Sequence, residues 1–449
     1  MEKITLCEVI KWTDGTCFNK KDIIVKSITT DSRNISDDAL FIALKGKNFD
    51  GHDFVGDAIK SGAKAVVVEK QLPFDIPQIV VSDTLIALGN IAKNYRRKFC
   101  CPIIGITGSD GKTTTKEMCA HLLSAKFCVC KNHGNFNNQI GLPLSIMNLD
   151  KTTEIGIFEL GMNNYGELRY LGGILQPDIV IITSIGYAHL GFFKNRRDLA
   201  MTKAEILESV RSDGLIVINR DTNFLDVLKG NTIYPPVTIG MHPSSDFRAI
   251  VTDYTGNEIT LKIEKWKHLL FKIKSWNGSM IYPSLFSIFI ADYFGVPRST
   301  IAKYLYDFNL INGRGQIKEC GNVKIFDESY NANPASMSMA LQYFARQKAR
   351  RKIAVIGQMA ELGRWSKFYH RKIANLVEKL KFDAVFTVGS DAKIISEFFS
   401  KTAKHFDNVG DMIEYMQNFI TSGDAVFVKG SRINNLEILV QSLIEKLER

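Results

Sequence analysis

A short glycine turn followed by a lysine occupies residues 105–116, directly after an apolar run and at the start of a segment with helical character. Its glycines let backbone N–H groups curl around phosphate oxygens, while the helix N-terminus and the lysine add positive potential. A threonine hydroxyl beside the lysine can bind Mg²⁺. The spacing is shorter than G-x-x-x-x-G-K-[ST], so we predict a compact loop for nucleotide phosphates. Its predicted nucleotide-binding residues are Gly108, Ser109, Asp110, Gly111, Lys112, Thr113 and Thr114.

The elements around this loop predict a nucleotide-binding α/β domain. The apolar, β-branched run at 102–107 is typical of a buried parallel strand. Further buried-strand candidates follow at 154–159, 178–182 and 214–219, with helical patterns between them. This alternation indicates a doubly wound sheet, so we predict a central P-loop domain that binds a mononucleotide.

The remaining segments predict two further domains. The first ~85 residues alternate short β-like runs with loops and one helical stretch, which indicates a small α/β domain. After the glycine-containing hinge at 312–315 the strand and helix pattern restarts, which is typical of a Rossmann-like domain. We therefore predict an α/β fold with three domains, at residues 1–84, 85–312 and 313–449.

The composition excludes several classes of protein. Apolar stretches at 179–185 and 285–294 are too short to span a bilayer, and the N-terminus lacks a basic start followed by an apolar run, so we expect a cytoplasmic protein. The net charge of +10 is scattered without a basic block, which favours anionic small substrates over nucleic acid. The eight cysteines form no C-x-x-C pair, so we expect reduced thiols.

With the compact loop, an ordered set of segments resembles the Mur ligases over nearly the whole chain. The segments are Thr30–Arg33, Phe49–Phe54, Gly108–Thr114, Gly134–Gly141, Glu159–Gly161, Gly186–Leu190, Lys203–Glu205, Gly313–Gly315, Asp327–Pro334, Gly357–Gly363 and Lys429–Arg432. The resemblance implies an ATP-dependent ligase that activates a carboxylate as an acyl phosphate and then joins it to an amine. It also implies small-molecule substrates, and we expect a monomer.

Two of these segments distinguish the members of the family. The Asp31-Ser32-Arg33 run resembles the two later ligases of the pathway, and the run at 329–334 resembles the last one, which joins D-Ala-D-Ala to UDP-MurNAc-tripeptide. The Asp-Asn-Pro-Arg motif that is usual in the third-residue-adding ligase does not occur. The alternatives are that third-residue-adding ligase, a folylpolyglutamate-type ligase, or an inactive nucleotide-binding regulatory protein.

The resemblance also implies roles for individual residues. Glu159 follows a buried strand and, with Thr113, would hold one Mg²⁺. His189 would hold a second Mg²⁺, together with Lys203 in a carbamylated form. Lys112, Glu159, His189 and Lys203 are thus the predicted catalytic residues. Arg314, Asn331 and Asn333 would bind the nucleotide from the third domain, and the predicted substrate-binding residues are Asp31, Ser32, Arg33, Asn135, Asn137, Asn138, Lys429 and Ser431.

The sequence departs from the family pattern at several positions near these residues. Gly191 stands where relatives usually carry Glu, and Glu328 and Gln358 stand where Asp is common. At the expected adenine site, the places of a usual Gly, His and Asn are taken by Asn277, Ser279 and Pro283. Because the phosphate, metal and hinge positions match, we expect an active enzyme with an altered adenine site.

Overall fold

The N-terminal part of the chain forms a small mixed sheet flanked by helices. The computed structural model describes residues 1–46, 48–232, 234–266 and 268–448. The N-terminal elements are β1 (Ile4–Thr5), α1 (Leu6–Thr13), β2 (Thr16–Phe18), β3 (Ile24–Val25), β4 (Ser27–Thr29), β5 (Ala39–Ile42), α2 (Val55–Lys60), β6 (Ala65–Val68), β7 (Gln78–Val80) and α3 (Thr84–Arg96). In the described part, five strands pair in the order β2-β7-β6-β5-β4. The inner strands β5 and β6 are buried along their whole length, as expected of parallel strands covered on both faces.

The central part forms the large sheet that carries the glycine turn. Its elements are β8 (Ile103–Thr107), α4 (Lys112–Leu123), β9 (Val129–Lys131), α5 (Gly141–Ile146), β10 (Ile155–Glu159), α6 (Glu167–Leu175), β11 (Ile179–Ile182), α7 (Arg196–Ala204), β12 (Leu215–Asn219), α8 (Leu225–Gly230), β13 (Val237–Gly240), β14 (Phe247–Thr255), β15 (Glu258–Ile263), β16 (Leu270–Lys274), α9 (Ile281–Tyr293) and α10 (Arg298–Asp307). Across the described ranges the strand order is β16-β15-β14-β13-β12-β11-β8-β10-β9. The strands from β9 to β14 pair in parallel, which confirms the predicted doubly wound α/β core.

An antiparallel extension of this sheet was not predicted. Strands β14, β15 and β16 pair antiparallel at one edge. In β16 exposed and buried residues alternate, so one face of this edge is open to solvent. These strands contain polar residues throughout and lack the continuous apolar run that indicated the parallel core.

The C-terminal part forms a second, mostly parallel sheet. Its elements are β17 (Gln316–Cys320), β18 (Val323–Glu328), α11 (Pro334–Ala345), β19 (Arg351–Gly357), α12 (Ser366–Leu380), β20 (Ala384–Val388), α13 (Lys393–Glu397), β21 (Thr402–Phe406), α14 (Val409–Phe419), β22 (Asp424–Lys429) and α15 (Leu436–Leu447). For the residues described, the order is β17-β18-β22-β19-β20-β21, with β17 as the antiparallel edge. This arrangement confirms the predicted Rossmann-like third domain.

Each of the three larger sheets lies within one of the sequence ranges predicted above, and we propose residues 1–84, 85–312 and 313–449 as the domains. The first two ranges share an apolar core, since Leu88 and Ile91 of α3 pack in one cluster with residues of both. No helix in the part of the chain that the structure describes is long and apolar enough to cross a membrane.

A buried ion pair fixes α3 to the central sheet. Arg96 is 5% exposed and donates to the Leu175 carbonyl, while its Nη2 lies 3.2 Å from Asp178 Oδ2. The same carboxylate accepts the Ile103 N–H at 2.8 Å, at the start of β8. Asp178 therefore ties the helix, the neighbouring strand and its own loop together.

We predict that Asp178→Ala destabilises the protein by about 3 kcal/mol, because it leaves the Arg96 cation buried without its counter-ion. The melting temperature measured by differential scanning calorimetry should fall clearly. Asp226→Ala is the matched control, since Asp226 pairs with Arg197 at the surface, where both side chains are 63% exposed. Equal shifts for the two variants would contradict this account.

Candidate nucleotide and ligase site

The glycine turn lies between β8 and α4 and has the conformation that its glycines allow. Gly108 has a φ of 147°, and a Cβ at this position would stand 2.0 Å from Thr183 Oγ1. Gly111 has a φ of 81° and precedes the first residue of α4. The Asp110 N–H donates to Ser184 Oγ at 2.8 Å, so the turn is fixed to the segment after β11. Lys112 Nζ donates back to the Gly108 carbonyl at 2.9 Å.

The turn opens into a cleft of about 610 Å³ between the central and C-terminal domains. The predicted residues that line this cleft are Ser109 to Thr114, Asn135, Asn137, Asn138, Glu159, His189, Arg314, Asn331, Asn333 and Lys429. The structure therefore brings the turn, Glu159 and His189 to one cavity, with four residues of the third domain on the opposite wall. Asp31, Ser32 and Arg33 lie in the N-terminal domain away from this lining, where Arg33 forms an exposed bidentate pair with Asp31.

Glu159 ends β10 and is held in place by two asparagines. Asn132 bonds both the N–H and the carbonyl of Glu159, at 2.9 and 3.1 Å. Asn137 Nδ2 donates to Glu159 Oε1 at 2.8 Å. Glu159 is 2% exposed, and its Oε2 has no hydrogen-bond partner among the described residues. A buried carboxylate oxygen that lacks a partner at a phosphate site fits a hard cation such as Mg²⁺.

Lys116 supports this arrangement, a role that the sequence did not predict. Its side chain is fully buried, and its Nζ donates to the Asn132 carbonyl at 2.7 Å. The Lys116 Nζ also lies 3.0 Å from Glu117 Oε1. The buried cation therefore fixes the segment that orients Glu159. The only signal in the sequence was its position one helical turn after Lys112.

His189 contacts a carboxylate that comes from the C-terminal domain. Its Nδ1 lies 2.7 Å from Glu361 Oε2, although the ring is not aligned for a hydrogen bond. Burial lowers the pKa of His189, and the nearby Glu361 charge opposes this shift only in part. The imidazole is therefore neutral near pH 7, which is the form that can bind a metal ion.

Gly191 packs tightly against the C-terminal domain. A Cβ at this position would stand 2.6 Å from the Gly363 nitrogen, so no larger side chain fits here. The Gly191 N–H donates to the Glu361 carbonyl at 2.7 Å. The segment at 357–363 matched the family pattern, but nothing in the sequence indicated that its glutamate meets His189.

Lys203 is a buried lysine behind the cleft. It is 1% exposed, and no carboxylate of the described residues lies within ion-pair distance of its Nζ. Burial, with a smaller contribution from the Lys112 charge, lowers its pKa well below the ordinary lysine value. The amine therefore favours its neutral, nucleophilic form.

The C-terminal domain closes onto the glycine turn through two contacts. Arg314 stacks over the Tyr330 ring at 4.0 Å, and its Nη2 donates to Thr113 Oγ1 at 3.2 Å. Asn333 caps α11, and its Nδ2 donates to Asp110 Oδ1. The Arg314 Nε is buried and has no hydrogen-bond partner in the described ranges. A guanidinium group with an unused donor beside a phosphate turn is suited to a phosphate oxygen.

The other predicted residues of this wall have structural partners. Lys429 Nζ donates to the Asn331 carbonyl at 2.9 Å, and Ser431 is buried between the Ala360 N–H and the Ala332 carbonyl. No group of three His, Cys, Asp or Glu side chains in the described segments forms a ready metal cluster. Mg²⁺ commonly takes only one or two protein carboxylates and completes its shell with phosphate and water.

These features define a three-domain α/β nucleotide-binding protein whose site lies between two domains. Residues 106–288 match the model of the Mur ligase middle domain, residues 313–432 the Mur ligase glutamate ligase domain, and residues 24–103 the Mur ligase family catalytic domain. The chain belongs to the Mur ligase family.

Relatives and solved structures match it over nearly their whole length. The UDP-N-acetylmuramoyl-tripeptide–D-alanyl-D-alanine ligase of Bacillus subtilis is 32% identical, with 99% of each chain covered. A crystal structure of MurF from Acinetobacter baumannii has a TM-score of 0.92 at 28% identity, with 99% of each chain covered. The MurF ligase of Thermotoga maritima in complex with ADP has a TM-score of 0.83 at 28% identity, covering 94% of this chain and 98% of that one.

A buried histidine supports the segment that carries Glu361. His370 Nε2 accepts the Met359 N–H at 2.9 Å, and its Nδ1 lies 2.9 Å from the Ser366 carbonyl, so this ring is neutral with the proton on Nδ1. Burial lowers the pKa of His370 below 6.5, against the opposing effect of the Ser366 carbonyl.

We predict that this histidine makes the stability of the protein depend on pH. Because the folded pKa is depressed, its contribution is complete above pH 6.5 and is lost as the pH falls from 6.5 through the folded pKa. As the pH falls from 7.5 to 5.5, the melting temperature of His370→Gln should therefore decrease less than that of the wild type. His242→Gln, at an exposed histidine, is the control. Parallel pH curves for the wild type and His370→Gln would refute this role.

Proposed function

We propose that this chain joins D-alanyl-D-alanine to UDP-N-acetylmuramoyl-tripeptide and converts ATP to ADP and phosphate, forming the pentapeptide precursor of peptidoglycan. The observation that carries the proposal is the single cleft in which the glycine turn, Glu159 and His189 face Arg314 and Asn333. The full-length similarity to ligases of this specificity supports the choice of substrates.

The chemistry explains the need for ATP. A carboxylate does not react with an amine in water, because the anion is a poor electrophile and hydroxide a poor leaving group. In the proposed reaction, a tripeptide carboxylate oxygen attacks the γ-phosphorus and ADP leaves. The dipeptide amine then attacks the acyl carbon, loses a proton and expels phosphate. Both steps depend on positioning and on neutralising crowded anions.

The cleft supplies these functions from both walls. The N–H groups of the glycine turn and Lys112 cradle the phosphates, and Arg314 approaches them from the C-terminal domain. Because these groups lie on different domains, domain closure is part of assembling the site. Asn135 and Asn138 line the path of the tripeptide, and Lys429 lies on the dipeptide side. Ser32 and Arg33 hold the uridine diphosphate in the N-terminal domain.

Two Mg²⁺ ions fit the residues present. Glu159 and Thr113 would hold the first, and His189 with a carbamylated Lys203 the second. Mg²⁺ there would neutralise charge on the phosphate oxygens. In the neutral form, a buried lysine amine attacks the carbon of CO₂ and loses a proton, and the resulting carbamate is an oxygen donor where an ammonium group would repel the ion.

The substrates suggest where and how the protein works. ATP and a UDP-linked precursor are cytoplasmic metabolites, so we place the reaction in the cytoplasm. We also propose that the working unit is a monomer.

We predict that the purified protein, given Mg²⁺, ATP, UDP-MurNAc-tripeptide and D-Ala-D-Ala, releases phosphate and forms UDP-MurNAc-pentapeptide. The pentapeptide product is identified by mass spectrometry. A diamino acid or glutamate should give no product, which separates the proposal from a third-residue-adding or folylpolyglutamate-type ligase. Lys112→Ala should lower turnover by about 100-fold or more, because the phosphate turn loses its charge. Absence of phosphate release with every amine would favour a nucleotide-binding regulatory protein.

We further predict that Lys203→Ala lowers turnover by about 100-fold and regains part of it with formate or acetate, because the small acid fills the vacated site and replaces the carbamate oxygens. Lys203→Arg is the matched control, since arginine fills the site but can neither form a carbamate nor admit the acid. An inactive Lys203→Ala that short acids do not rescue would exclude the carbamate.

A further inference from the structure

Two buried polar side chains contact each other across the domain boundary. Asn277 Nδ2 donates to Glu328 Oε1 at 2.5 Å. Asn277 precedes α9 in the central domain, whereas Glu328 ends β18 in the C-terminal sheet. They are 1% and 8% exposed. The pair therefore forms a buried interdomain contact.

The second oxygen of Glu328 extends this contact along the C-terminal wall of the cleft. Glu328 Oε2 accepts from Lys429 Nζ at 3.1 Å, and the same ammonium group donates to the Asn331 carbonyl at 2.9 Å. Lys429 is 3% exposed, so these partners are needed to stabilise its buried ammonium group. A continuous buried chain of hydrogen bonds thus runs from Asn277 to Asn331.

The end of these hydrogen bonds that lies in the central domain is close to the glycine turn. The Ser279 N–H donates to Asn277 Oδ1 at 3.1 Å, so one asparagine both shapes the turn before α9 and reaches Glu328. A few residues on, Pro283 Cγ lies 3.7 Å from the position of a Cβ on Gly111. Ser279, Pro283 and Glu328 all line the cleft. The chain of hydrogen bonds therefore links both walls of the nucleotide cleft.

An aromatic contact next to Asn277 holds the same boundary. Trp276 is 1% exposed and packs in the core of the C-terminal domain, with its ring 4.9 Å from Phe326 and 6.2 Å from Phe427. Its neighbours in sequence belong to the central sheet. The Trp276 side chain gives the linked walls an apolar anchor.

We propose that Glu328 is a positioning residue that, through Asn277, fixes the two walls of the nucleotide cleft at the separation required for ATP. This inference rests on the proposed function, since it assigns ATP to this cleft. The length of the side chain matters: aspartate is shorter by about 1.5 Å and cannot hold both Asn277 and Lys429. Glycine at 277 would offer no side chain to hold.

A double-mutant cycle tests the pairing. We expect Glu328→Asp and Asn277→Gly each to raise the KM for ATP and the Kd for ADP with Mg²⁺ about tenfold, with kcat within about twofold of the wild type. The double variant should bind no more weakly than Glu328→Asp alone, because the first change already removes the shared contact. Glu319→Asp, at an exposed glutamate paired with Lys324, should change neither constant.

The readouts separate a failure of this inference from a failure of the proposed function. ADP binding is measured by calorimetry and needs no turnover. If the wild type binds ADP and forms product, two results would overturn the pairing. One is a Kd of the double variant that rises by the product of the two single effects, and the other is an unchanged KM and Kd in Glu328→Asp. A wild type that does neither would instead overturn the proposed function and with it this inference. Far-UV circular dichroism checks folding, and Asn277→Ser replaces Asn277→Gly if that variant does not fold.

Discussion

The anions of the proposed reaction must meet at one edge of one sheet. β8 lies between β10 and β11, so the turn after β8, Glu159 at the end of β10 and the segment after β11 emerge side by side. This register places phosphate-binding N–H groups beside a carboxylate suited to a metal ion. The remaining parts of the site, from the Lys116 support to the approach of Arg314, act on groups that this edge has already brought together.

The site balances charges that are costly to bury singly. Lys203 has no carboxylate within ion-pair distance in the described part of the chain, while Glu159 keeps one carboxylate oxygen without a partner. Glu361 reaches His189 from the other domain, and Glu328 neutralises Lys429. Paired groups therefore stabilise the wall that the C-terminal domain forms, whereas the groups without such a partner are those proposed to act on phosphate and metal. This division follows from the cost of an uncompensated buried charge.

The sequence predicted the parallel cores well, because their strands are short, continuous apolar runs such as 103–107 and 179–182. It did not predict β14 to β16, an antiparallel edge in which β16 alternates between exposed and buried residues. Site residues on the glycine turn followed from local spacing. Glu361, Asn132 and Asn277 could not be found in this way, because their roles arise from contacts with residues 27 to 172 positions away or with another domain. Gly363 of the C-terminal domain lies against Gly191 and leaves no room for a side chain there, and this contact could not be predicted from local spacing.

The most direct test of the central claim follows the oxygen atoms of the acid that is activated. UDP-MurNAc-tripeptide labelled with ¹⁸O in the reacting carboxylate is turned over with ATP and D-Ala-D-Ala, and the released phosphate is examined by ³¹P NMR. An acyl phosphate formed in this cleft transfers one ¹⁸O atom from each activated carboxylate to phosphate. Unlabelled phosphate, with both heavy oxygens retained in the acid or lost to ADP or water, would contradict the account.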